Sequence, residues 1–549
     1  MPHVTPRLPA RPIALIGVVA LLLAGAVTLR AIITDMALLE SMHAAVGEHL
    51  DQAELMALVQ SGQNNAAFDE AFEHGDELFE TEFNALDGVG ASVGDGGRFT
   101  RVPRADLSGA GQWASHTPSR ATGPNAVSCN ACHLQLFDDG SGSAVGNVIR
   151  DPGHTGNLKK FIQRNTPHVF SLGTVQRVAE EMTGELFALR DAASAQTCAS
   201  GQAVTVTLVA KGVDFGTLKV SRARTTPCQV ALNTSAVVGV NQDLIVRPFQ
   251  WKGSIASVRE FNRGAAHDEI GMQPVETTGD DVDGDGDGVA NEFTIGDVTA
   301  LSVYLAAQPR PTTKMELARL GIIDPLPAEE TAAIQAGSQV FDTIGCASCH
   351  VRSFTLNDPI FREPSANAAY RDATFPAGQD PIQRGVDFNH PVVFDLTHDQ
   401  PDNQVKDAHG NVVYRLGSLT TDASGKAVAE LFGDMKRHDM GAGLTEQIDE
   451  VGSGKTTFMT RNLWGIGSTA PYMHDGRATT LTEAILEHGG EAAASSDRFR
   501  ALPVGAQQTL VKFLENLVLF KMDEEGVVIP PPSTVQLNSA LKLRRVHRH

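Results

Sequence analysis

Hydrophobic positions recur at helical spacing in three stretches of the chain. Between Leu38 and Phe83, the side chains of Phe68, Phe72, Phe79 and Phe83 keep roughly one face, which predicts helix. From Thr331 to Ile344, the apolar positions Ile334, Val340, Phe341 and Ile344 predict a second helix. A third is expected over about Gly505 to Phe520, with Leu510, Phe513, Leu514 and Leu517 on one side. Between Val204 and Val246 the period changes. VTVTLVA, GTLKV, QVALN and DLIV are short β-branched runs separated by Gly, Asn and Pro, which predicts a small β-rich insertion at about 198–246. Residues 358–427 are rich in Asp, Asn, Pro and Gly and read as a long irregular excursion over the surface. The expected fold class is mainly α, with that β-rich insertion and long irregular loops.

One further apolar run, Ile13 to Leu29, follows Arg7 and Arg11 and contains Ala24-Gly25-Ala26, which resembles a signal-peptidase site. It is long for a signal peptide and slightly short for a membrane span. Residues 1–30 are therefore read as a signal peptide or a membrane anchor. Either way the rest of the chain is expected outside the cytoplasm, periplasmic or extracellular. The 549 residues, 42% of them hydrophobic, suffice for two or three cores. A net charge of −21 argues against nucleic acid, because phosphate binding wants a basic face.

The chain has six cysteines, and four of them bring in chemistry. CNACH at Cys129 and CASCH at Cys346 both match C-x-x-C-H. Two thiols at that spacing add to the two vinyl groups of one porphyrin, and the adjacent His coordinates the iron. Two covalently bound haem c groups follow, on Cys129, Cys132 and His133 and on Cys346, Cys349 and His350. A thioredoxin-like pair would need no His, and no βαβ context surrounds either motif. A zinc site would want four ligands close together. The motifs divide the chain into an N-terminal cytochrome c-type haem domain over 38–325, a C-terminal one over 326–525, and a tail over 526–549. Cys198 and Cys228 flank the β-rich insertion and are expected to pair in an oxidising compartment.

An acidic loop supplies a second kind of site. Asp281, Asp283, Asp285 and Gly286, with Glu292 at the twelfth position, fit a calcium loop of hard carboxylate ligands. Asp283, Asp285 and Asp287 before Gly288 offer an alternative register.

The stretches RPFQWKG (247–253), DEIG (268–271), RHDMG (437–441) and LWGIGSTAPYMHDGRATTLTEAILEHGGEA (463–492) resemble the bacterial di-haem oxidoreductase family, relatives of the di-haem cytochrome c peroxidases. The resemblance runs from about Phe68 to Phe520. It implies that His488 is the distal ligand of the second haem, where the peroxidases carry Met. That exchange should lower the potential, because imidazole favours ferric iron. It implies that Glu269 is the acid/base at the first haem and that Trp251 relays electrons between the two. It also implies Ca²⁺ held between the haems by Asn165 and the carbonyls of Thr469 and Pro471. His154 does not stand at the spacing of the peroxidases' removable His, and His267 offers a second proton carrier or ligand.

The function these residues imply is an exported di-haem oxidoreductase of peroxidase type. A small redox protein would donate electrons at the second haem, and H₂O₂ would be reduced at the first. A haem dioxygenase of the rubber-oxygenase type, binding O₂, stays open, as do a pure electron-transfer cytochrome and an enzyme that oxidises a protein partner at a distance.

Overall fold

The computed structural model describes residues 49–89, 125–136, 139–143, 146–150, 160–284, 288–401, 403–522 and 527–528. Residues 1–30, His154, Asp285, Asp287 and the tail beyond 528 lie outside them. Among the described residues 38% are helical and 18% are in strands, spread over seven sheets of two or three strands. The chain is thus a mixture of helix and small sheets, which corrects the expectation of a mainly α protein. Much of the difference lies in and beside the stretch read as irregular. Ile360–Glu363 pairs with Val392–Asp395, Gln404–Lys406 with Val412–Arg415, and Phe354–Leu356 with Ala427–Ala429. Strands of three or four residues are too short for alternation to stand out from polar flanks.

The predicted N-terminal helix is two. α1 (Gln52–Gln60) starts at Asp51, whose carboxylate accepts from the Ala53 and Glu54 amides. It ends at Gly62, which takes a left-handed φ of 81°. α2 (Asn64–Glu80) buries Phe68, Ala71, Leu78 and Phe79 and crosses α5 (Ile295–Ala307) at Gly75, where a Cβ would strike the Ala300 carbonyl. Every residue of α5 is buried, and a capping box of Thr294 and Asp297 fixes its start.

α3 (Leu172–Ser200), 29 residues long, has no counterpart in the hydrophobic pattern. Its first half is buried on nearly all sides, polar residues such as Gln176 and Glu180 included, so no apolar stripe marks it. Cys198 near its end forms the expected disulfide with Cys228. That bond closes an antiparallel sheet of Val204–Ala210, Val213–Arg224 and Gln229–Val237, which packs along α3. The sheet reaches back to the C-terminal half of the chain: the Arg437 amide donates to the Gly239 carbonyl (3.0 Å), and Lys436 Nζ to that of Asp214 (2.8 Å).

α4 (Val258–Ala265) runs into a π turn, Ala266–Ile270. In the C-terminal half, α6 (Ala328–Thr343) leads into Cys346 and lies across α9 (Val504–Asn516), with Gly337 against the Thr509 carbonyl. Two shorter helices, α7 (Leu481–Glu487) and α8 (Ala493–Ala501), complete this unit around Phe341, Phe499, Leu510 and Phe513. Among the described residues no helix is long and apolar enough to cross a membrane.

Candidate haem centres

Both C-x-x-C-H segments fold into the same tight turn. The His133 amide donates to the Cys129 carbonyl (3.2 Å), and the His350 amide to that of Cys346 (2.9 Å). None of the four motif cysteines is bridged. Burial pushes the Cys129 thiol up to about 12 and that of Cys346 up to about 11, the reverse of what a redox-active dithiol needs.

Cys346, Cys349, His350 and His488 line one cavity of about 260 Å³. The His350 and His488 rings lie with centroids 6.3 Å apart and their planes inclined at 61°. Two imidazoles on opposite sides of one metal ion, each bonded at about 2.0–2.1 Å, hold their centroids roughly 6 Å apart. In each ring Nδ1 is engaged by a backbone carbonyl: Phe432 for His350 (3.0 Å) and Ala484 for His488 (2.7 Å). That places the ring proton on Nδ1 and leaves Nε2 as the nitrogen a metal would take, as in metal-binding histidines. Burial lowers the pKa of both, His350 to about 4, so both rings are neutral donors.

The same cavity holds a cation suited to haem carboxylates. Arg461 stands over the Trp251 ring at 5.1 Å, and burial pulls its pKa down to about 10. The residues therefore fit a haem at this centre.

At the first motif the described residues give the proximal side. His133 lies against the Phe79 ring (5.8 Å), its Nδ1 is 3.3 Å from the Gly140 carbonyl, and burial lowers its pKa to about 4. Glu269 sits in the π turn, a distortion of the helix frequent at functional sites. Its backbone carbonyl accepts from the Asn125 and Ala126 amides, just ahead of Cys129, and its Oε2 accepts from Asn125 Nδ2 at 2.8 Å. Burial raises its pKa to about 7, with the Arg150 charge pulling the other way. His267 is buried with Nδ1 3.2 Å from the Met272 carbonyl.

Trp251 lines the His350–His488 cavity, and its indole N–H donates to the Asn165 carbonyl (2.8 Å). His474 packs edge-on to it at 6.4 Å and stacks on Phe458 at 4.3 Å. The Asn165 side-chain amide donates to the carbonyls of Pro471 (2.6 Å) and Met473 (3.2 Å), while Thr469 Oγ1 turns to the Ile466 carbonyl. In the acidic loop, Asp281 bonds Asn291, and Asp283 accepts from the Gly288 amide. Glu292 turns inward, against Gly88, and accepts from the Gln273 amide. Among the described residues this loop does not bring three ligand atoms together.

Several side chains at these centres carried no role in the sequence reading. Arg150 pairs with Asp268 (3.1 Å) and Glu450 (3.0 Å), Arg164 with Glu450 (2.7 Å) and Glu446, and Lys252 with Glu446 (3.0 Å). This buried charge network joins the strands beside the first motif to the loop at 446–450. His438 stands between Asp434 and Glu491, next to Cys349. His438 and Glu491 do lie in the quoted motifs RHDMG and HGGEA, which is the only signal the sequence offered for them.

Residues 409–517 match the family model described as "Di-haem oxidoreductase, putative peroxidase". No curated protein matches the chain. Among solved structures, hydrazine synthase of Kuenenia stuttgartiensis, pressurised with 20 bar xenon, is similar at 16% identity and a TM-score of 0.20. That likeness covers 41% of this chain and 56% of the synthase chain, so just over half of the latter's length is spanned. A MauG-like protein associated with microbial copper homeostasis is similar at 16% identity and a TM-score of 0.23, over 49% of this chain and 68% of its own. The matched block holds His438, Arg461, His474, His488 and Glu491, and over these residues the chain is similar to the di-haem oxidoreductase family.

Proposed function

We propose that this chain is an exported di-haem c-type cytochrome of peroxidase type, which reduces H₂O₂ at the Cys129 centre with electrons received at the Cys346 centre. The observation that carries the reading is Glu269, a carboxyl with a pKa of about 7 fixed by Asn125 beside the first motif. Reduction of one H₂O₂ to two waters consumes two electrons and two protons. A carboxyl poised near neutral pH can take a proton from one peroxide oxygen and return it to the other. Haem bound at each centre supplies the iron that exchanges electrons.

His350 and His488, which would both hold the iron of the second haem, suit an electron port. Trp251, at the wall of that cavity, carries electrons onward to the first centre. The donor is a small redox protein with a surface complementary to the acidic chain. The Cys198–Cys228 disulfide supports an oxidising compartment outside the cytoplasm. Ca²⁺ at Asn165, with the carbonyls of Thr469 and Pro471, would stiffen the contact between the two halves.

The test is steady-state H₂O₂ reduction by the mixed-valence holoprotein. Glu269→Gln is expected to lower turnover by about 10²–10⁴, the range for a lost general acid/base. A wild-type first centre inert to peroxide, or turnover unchanged in Glu269→Gln, overturns the reading.

A further inference from the structure

His438 is held at both ring nitrogens. Nε2 lies 2.8 Å from Asp434 Oδ2, and Nδ1 lies 2.7 Å from Glu491 Oε2. An ionised carboxylate offers only acceptors, so each nitrogen must carry a proton and the ring is an imidazolium. Burial works against that charge, yet the hydrogen bonds to Asp434 and Glu491 raise the pKa.

The two carboxylates belong to different segments of the chain, and Glu491 lines the cavity of the second centre. Asp434 precedes the strand that carries His438, while Glu491 follows His488 by three residues. The backbones of these segments are in contact as well. The Asp439 amide donates to Glu491 Oε1 at 2.9 Å. A Cβ on Gly441 would stand 2.6 Å from the Gly490 amide, one on Gly489 would stand 2.8 Å from the Met440 carbonyl, and one on Gly490 would strike the Asp439 carbonyl. Only glycines allow RHDMG to lie this close to HGGEA.

His488 needs such an anchor. It ends α7, a helix of seven residues, and two glycines follow it. Glycine leaves the backbone more freedom than any other residue, so the link between α7 and the turn at Gly490–Ala492 draws on contacts from outside it to stay in one place. We propose that His438 is a positioning residue, a charged latch between Asp434 and Glu491 that keeps the 488–491 segment, and with it the His488 imidazole, over the second centre. The inference rests on the reading of His488 as the distal ligand.

The test uses the full holoprotein in three variants, Glu491→Ala, His438→Gln and His488→Ala. The readouts are the low-spin paramagnetic resonance signal of a bis-imidazole ferric haem and the rate at which added cyanide binds. Loss of one charge-assisted hydrogen bond is expected to speed cyanide binding by roughly tenfold and to shrink the bis-imidazole signal in the first two variants. His488→Ala should abolish that signal. Glu491 is 53% exposed, so Glu491→Ala keeps the test open should His438→Gln fail to fold. A wild-type signal and cyanide rate in Glu491→Ala, alongside a lost signal in His488→Ala, overturns the latch alone. A signal untouched in His488→Ala overturns the ligand reading, and the latch with it.

Discussion

Glu269 keeps its proton in the folded chain up to about pH 7, whereas an unfolded chain releases it near the ordinary 4.5. Between these values the folded state binds more protons, so this carboxyl's contribution to stability is present at low pH and falls as pH rises from 4.5 to 7. Urea unfolding of Glu269→Gln across that window should show a flatter decline than wild type and greater relative stability above it. Parallel pH profiles would mean that Glu269 titrates normally and is no poised acid/base. The residue itself could be read from its DEIG context. Its π turn and its Asn125 partner could not, because the first leaves no periodicity of its own and the second lies 144 positions away. His438 shows the same limit: it stood in a recognisable motif, but its charge follows only from two carboxylates that folding brings to it.

Helices with one apolar stripe were readable, and α6 and α9 are the clearest pair. What the stripe does not disclose is how close the pair packs. Gly337→Ala improves helix propensity by about 1 kcal/mol, but the added methyl meets the Thr509 carbonyl, and overpacking of this kind costs about 1–3 kcal/mol. A lower denaturation midpoint is therefore expected. Gly184, in α3, has nothing within 4 Å of where its Cβ would stand. There the propensity gain acts alone, so Gly184→Ala should raise the midpoint by the equivalent of about 1 kcal/mol. Equal shifts in both variants would show that backbone freedom, rather than contact with Thr509, governs Gly337. α3 itself escaped notice because burial on all sides of its first half erases the alternation that identifies a helix. The short strands escaped for want of length.

At the scale of the whole molecule, the halves meet through charges rather than through a continuous apolar face alone. Arg164 and Glu446 are 282 positions apart in sequence and pair in the interior, with Lys252 on the same carboxylate. No local pattern could announce such a contact. A buried pair stabilises little relative to an apolar replacement, but removal of one partner leaves a stranded charge and costs about 3–5 kcal/mol. Glu446→Gln should lose stability of that order in denaturant unfolding, with Trp251 fluorescence reporting disturbance at the cavity wall. A loss below about 1 kcal/mol, typical of exposed pairs, would show that the network is solvated.

The hydrogen bond from the Arg437 amide to the Gly239 carbonyl gives the disulfide-closed sheet a bearing on the second centre. The residue after Arg437 is His438, so the sheet backs the very strand that grips Glu491. Reduction of Cys198–Cys228, or a change of loop length near Gly239, would be felt as slack behind that histidine. An insertion that would pass for ornament is a buttress, and trimming it would exact its toll at the haem wall.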